Sequence, residues 1–207
     1  MNKSIQSLRC ALLFVLFSMV LTACAATPPQ VAYYSLLGAE RVKTTGQRHD
    51  QLVLSVGPVR IPDVLKKSQI ATNGTEGRYR LSEYHRWAGE VDREFGRALL
   101  EQLAGRLGTE QVYLFPGDQH LEPTCQVLLD ILEMNGELGK EAKLSVRWTL
   151  IDPKGKIGSI TRHSAFSQQP ADSGHEAWVK AQRGNISRLS EEIATLIKER
   201  TLSNPGK

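Results

Sequence analysis

Along this chain the apolar residues fall into three patterns, an unbroken run, short strand-like runs and a three- to four-residue spacing, and each predicts a different kind of element. An uncharged run from Cys10 to Leu21 follows Lys3 and Arg9 and ends in small residues. A basic start, a short apolar core and a small-residue end mark a secretory signal, and this core is too short for a membrane span of ~20 residues. Beyond it come short apolar runs that read as strands. Residues 31–37, 52–56, 68–72, 78–81 and 112–115 read this way, the second ended by Gly57-Pro58 and the third and fourth flanking Asn73-Gly74. Asn-Gly between two such runs is a hairpin signal, and Thr75-Glu76-Gly77 after it offers a longer loop as the alternative.

Residues 88–107 carry Val91, Phe95, Leu99, Leu103 and Leu107 at three- and four-residue spacing, with Gly108 placed to end the helix. Residues 125–133 have apolar side chains of both parities, Val127, Leu129 and Ile131 against Leu128 and Leu132. That pattern predicts a central strand covered on both faces. Leu144, Val146, Trp148 and Leu150 alternate with polar residues, which predicts a half-exposed neighbour, and 157–166 completes an antiparallel meander. Residues 175–200 form the last helix, with an apolar stripe through Trp178, Ala181, Ile186, Leu189, Ile193, Leu196 and Ile197. Ser173 and Glu176 match a capping box, and Gly184 marks a bend. Two helices must cover apolar sheet surface, so the fold class is α/β: a mixed sheet with an antiparallel meander covered by two main helices.

The four residues Leu21-Thr22-Ala23-Cys24 give the signal its meaning. A cysteine directly after the small residues is a bacterial lipobox. The implied processing places a diacylglycerol on the Cys24 sulfur, cuts before Cys24 and acylates the new amine. The alternative is an ordinary signal peptide with an incidental cysteine. The chain divides into a signal (1–23), a lipidated tether (24–32) and one domain (33–202) of a size that supports a real core. Two acyl chains already give stable anchoring, at roughly 0.8 kcal/mol per buried CH₂. Ala25 rather than Asp after the cysteine matches the sorting pattern for the outer membrane.

Removing the signal changes the charge. The formal +4 loses Lys3 and Arg9 and no acid, which leaves +2. The remaining Lys and Arg are scattered, so no nucleic-acid partner is indicated. Of the three cysteines, Cys10 departs with the signal and Cys24 carries lipid. Cys125 alone remains, and it reads as a small buried apolar residue with no disulfide partner.

The chain has no nucleophile elbow, zincin motif, Walker loop or dinucleotide fingerprint. Its five histidines fall in separate segments without metal-ligand spacing, so no catalytic residue and no metal site are expected. His175 and His120 read as solvated. Asp130 reads as the partner of a nearby cation such as Arg147. The densest polar-aromatic cluster is Glu83-Tyr84-His85-Arg86-Trp87. It is either a staple at the helix start or a contact surface, since Trp, Tyr and Arg dominate binding hot spots. Tyr84, Arg86 and Trp87 are therefore candidate partner-binding residues. Ile61 and Leu65, in a proline-bounded apolar loop, join them, although such loops usually dock on their own domain.

The order Tyr33-Tyr34-Ser35-Leu36, Val56-Gly57-Pro58-Val59 with Ile61-Pro62 and Leu65, Gln69-Ile70-Ala71-Thr72, and His85-Arg86-Trp87-Ala88 resembles the PqiC/YmbA family. The similarity continues through Leu107-Gly108 and Trp148-Thr149-Leu150-Ile151-Asp152 to the last helix. These are auxiliary lipoproteins of ABC-type and MCE-type transport systems. The resemblance implies a three-layer α/β sandwich on the periplasmic face of the outer membrane, without catalysis or a cofactor beyond the lipid on Cys24. It implies as partners an MCE-domain protein and an inner-membrane transport component, in lipid transport or envelope integrity. A lipid-carrying module, an activator of another envelope machine and a homo-oligomer are compatible with the same sequence.

Overall fold

The computed structural model describes residues 29–38, 49, 51–73, 78–117, 122–153, 155 and 158–202. The chain separates into residues 1–30 and residues 31–207, and the strands and helices among the described residues all belong to the second unit. Cys24 and His120 lie outside the described residues.

The elements in chain order are β1 (Ala32–Tyr34), β2 (Leu54–Arg60), β3 (Gln69–Asn73), β4 (Tyr79–Trp87), α1 (Val91–Leu107), β5 (Val112–Leu114), β6 (Cys125–Asn135), β7 (Ala142–Ile151), β8 (Ser159–Gln168) and α2 (His175–Ile197). A three-stranded sheet has the order β1-β4-β3 and a five-stranded sheet the order β5-β2-β6-β7-β8. β2 runs parallel to β5 and β6, whereas β6, β7 and β8 form the antiparallel meander. The fold is mixed α/β and layered, as the sequence predicts, but it distributes its strands over two sheets.

The two helices pack on each other, α1 against β2 and β5 and α2 against β7 and β8. Beneath them the inward side chains of β7 (Leu144, Val146, Trp148, Leu150) are buried, as are Val127, Leu129 and Ile131 of β6. The other face of β6 departs from expectation. Leu128 is only half-buried and Leu132 is 39% exposed. Both helices occupy one side of the sheet, and the second side is carried by Asp130, Ser145, Arg147, Thr149 and Thr161, which an antiparallel meander can leave in water. Asp130 does pair with Arg147, its register neighbour, at 3.6 Å.

Boundaries shift for local reasons. The first strand spans 32–34 instead of 31–37. β2 does not stop at Gly57-Pro58 but crosses it through a bulge between Val56 and Val59. Helix α1 begins at Val91, not Ala88, because Glu90, its N-cap, is still extended at φ -69° and ψ 122°, and the chain before it is tied to β1 by the Ala88 N–H on the Tyr34 carbonyl at 2.7 Å. Gly108 ends it with φ 65°, as the pattern predicts. The capping box does not form: Gly174 is the N-cap of α2, and its own N–H is held by Asp172 Oδ1 at 2.7 Å. Gly184 makes no break in the helix. It is where α2 passes close to β8, and a Cβ there would meet the Gln168 amide.

All seven residues of the α2 stripe are buried, but so are Gln182 and Asn185. Gln182 Nε2 donates to the carbonyls of Asn135 and Lys143, both at 3.0 Å, and Asn185 Nδ2 donates to that of Ala142 at 2.8 Å. These amides satisfy backbone at the connection between β6 and β7. The same connection joins the sheets, since the Asn73 N–H bonds the Gly136 carbonyl at 2.8 Å. Arg106 ties the helices together through Ser190 Oγ at 2.8 Å and Ser187 Oγ at 2.9 Å.

Candidate functional site

β4 is the central strand of the small sheet, and its two faces have different fates. Its register with β1 sets Tyr34 beside Trp87, Tyr33 beside Arg86 and Ala32 beside His85. Tyr34, His85 and Trp87 share the inward parity, and they meet the first turn of α2. Trp87 is 4% exposed and its ring tilts against Trp178, centroid to centroid 6.4 Å. Burial removes Trp87 from any contact surface and makes it the core end of the cluster.

His85 accepts or donates a 2.8 Å hydrogen bond between its Nδ1 and the Tyr34 hydroxyl, and it stacks on His175 at 3.8 Å with an interplanar angle of 9°. His175 is therefore not solvated, contrary to expectation. Burial first, and the neighbouring His85 second, push its pKa down to about 4. Burial first, then the Glu176 charge, raises that of Tyr34. An imidazole held neutral in a stack makes a packing contact between the small sheet and α2. No sequence signal points to this group, because its members lie far apart in the chain and none has a spacing motif.

The outward parity of the same strands carries Val31, Tyr33, Tyr84 and Arg86. Tyr33 is 64% exposed, Tyr84 45% and Val31 38%. Arg86 is half-buried, and its Nε reaches the Glu83 carbonyl at 3.4 Å. Of the five sequence candidates, Tyr84 and Arg86 thus reach the surface. Leu65 is 3% exposed on a 3-10 turn (Asp63–Lys66) and Ile61 packs on the core from the side. That loop docks on its own domain, so Leu65 is corrected from surface to core.

Two open clefts flank this region. One lies between Lys66, Lys67, Trp87 and Asp92, the other between Pro58, Val59, Arg93 and Phe115. Charged side chains line each. Among the described residues no group of three or more His, Cys, Asp or Glu side chains could hold a metal ion. No helix among them is long and apolar enough to cross a membrane. Cys125 is free and buried, and burial pushes its thiol up to about 12, so it is no nucleophile.

Solved structures share the architecture. A crystal structure of an uncharacterized protein matches with a TM-score of 0.66 at 18% identity, covering 81% of this chain and 99% of that one. A Xanthomonas campestris protein of the DUF330 family matches with a TM-score of 0.64 at 14% identity, covering 83% and 99%. At these identities the likeness is one of fold. No curated protein matches the chain. A family model does, over residues 34–194, from the last residue of β1 into the last turn of α2. The chain belongs to the family of ABC-type transport auxiliary lipoprotein components.

Proposed function

We propose that this protein is a non-enzymatic, lipid-anchored subunit that fixes the outer-membrane end of a periplasm-spanning lipid-transport assembly. In this reading Cys24 carries diacylglycerol and an N-acyl chain, and Ala25 directs the anchor to the outer membrane. The domain docks an MCE-domain protein that reaches an inner-membrane transport component, and the assembly supports envelope integrity. The observation that carries the reading is the conjunction of a lipobox at Leu21–Cys24 with the family match across 34–194.

Crosslinking in intact envelopes, followed by capture of the lipidated chain, tests the docking. An MCE-domain protein encoded beside it is the expected product, and its absence from every crosslinked species overturns the proposal. Native mass spectrometry of the Cys24→Ala form is expected to show no co-purified phospholipid. Stoichiometric phospholipid there makes the protein a carrier.

A further inference from the structure

We infer that the outer face of β1 and β4, with Val31, Tyr33, Tyr84 and Arg86, rests on the lipid headgroups of the membrane that holds Cys24. The inference depends on the acylation of Cys24 proposed above, and it assigns to the bilayer a surface that the sequence offers to a protein.

Chain length supplies the first argument. Seven residue steps lead from Cys24 to Val31, a reach of at most ~25 Å when fully extended. The tether runs directly into β1, an outer strand of the small sheet. Whatever face β1 presents is therefore the part of the domain nearest to the acyl chains in sequence and in reach.

The chemistry of that face supplies the second. An exposed tyrosine pairs an apolar ring with a hydroxyl, a combination suited to the boundary between acyl chains and headgroups. Two tyrosines and a valine, large and exposed, sit together here, and Arg86 beside Tyr33 offers a planar donor to phosphate. The inward side of the same strands is pinned by Trp87, Tyr34 and the His85–His175 stack. The face is thus held rigid, which lowers the entropic cost of laying it on a surface.

The test uses the mature lipidated protein. Cys24 is acylated and Cys125 is buried, so a cysteine introduced by Tyr33→Cys, Tyr84→Cys or Leu132→Cys is the reactive thiol. Each variant is labelled with an environment-sensitive fluorophore and reconstituted into vesicles of phosphatidylethanolamine with phosphatidylglycerol, with and without brominated acyl chains. Circular dichroism confirms the fold of each. Labels at 33 and 84 are expected to shift to the blue and to be quenched by bromine. The label at 132, on the open face of the larger sheet, is expected to stay water-like. Water-like emission at 33 and 84 overturns the inference, as does a shift there only after an MCE-domain protein is added. Absence of acyl chains from the mass of the purified protein refutes the anchor itself, an outcome distinct from either.

Discussion

Replacing Gln182 by leucine isolates the contribution of one buried amide. Gln182 is fully enclosed on α2. Its Nε2 serves the Asn135 and Lys143 carbonyls at 3.0 Å each, and its Oε1 accepts from Asn185 at 3.3 Å. Leucine keeps most of the volume but withdraws a donor from two buried carbonyls and leaves Asn185 with one bond, to Ala142. Removing one partner of a buried hydrogen bond costs about 1–3 kcal/mol, and the two shorter bonds dominate here. The substituted side chain no longer buries an amide, which offsets part of the loss. Gln182→Leu should therefore destabilise the fold by about 2–3 kcal/mol, or lower Tm by roughly 4–12 °C for a chain of this size. Urea unfolding followed by tryptophan fluorescence measures it directly, because Trp87, Trp148 and Trp178 are all buried. A loss below about 0.5 kcal/mol, the range of an ordinary surface substitution, would show that these carbonyls do not need the amide.

The anchor and the histidine stack each carry a further prediction. Cys24→Ala should give a domain with unchanged Tm that leaves the membrane fraction and behaves in cells like a deletion, and full activity of the soluble form refutes this. His175 is held neutral in the fold, with its pKa at about 4 against 6.5 for the ordinary group. The unfolded chain then binds the extra proton between those values, so this contribution is complete above pH 6.5 and is lost as pH falls towards 4. Discounted for partial exposure, the loss from pH 7 to pH 5 is about 1 kcal/mol. His175→Phe should remove that increment from the urea midpoints, and an unchanged slope with pH contradicts the assignment.

How far the sequence reaches depends on the range of the interaction. Both helices, the meander and the αL stop at Gly108 are periodic or local features, and they stand where the periodicity puts them to within three residues at each end. Burial of the α2 stripe follows from the same period. What the pattern misses is set by contacts between distant segments. Gln182 and Asn185 read as polar, yet they face inward because the β6–β7 connection offers carbonyls to meet. Leu128 and Leu132 imply a covering layer, but both helices are already engaged on the opposite face. His175 pairs with His85 across ninety positions, where no spacing rule applies. In the candidate site, the cluster at 83–87 is visible in the sequence, but its division is not. The parity of β4 sends Trp87 inward and Tyr84 and Arg86 outward, and that parity is fixed by pairing with β1 and β3 and by the contact of Trp87 with Trp178.

The attachment of β1 has a mechanical consequence. This strand is held to β4 by three register pairs and by the bond from the Ala88 N–H to Tyr34. Immediately after it, the Ser35 carbonyl takes two bonds from Arg183, at 2.6 and 3.1 Å. Leu36 is buried in the core with its N–H on Glu94 at 2.8 Å. Under tension from an anchor at Cys24, β1 is a short zip and Ser35–Leu36 is a rivet. We expect force spectroscopy from residue 24 to show a small early extension, of roughly 10 Å at ~3.5 Å per freed residue, well before the domain unfolds. A single unfolding event without that step contradicts the picture. If Cys24 is acylated as proposed, load on the tether is met first by three strand pairs and then by the Ser35–Leu36 junction, so the core is the last part of the domain to feel it.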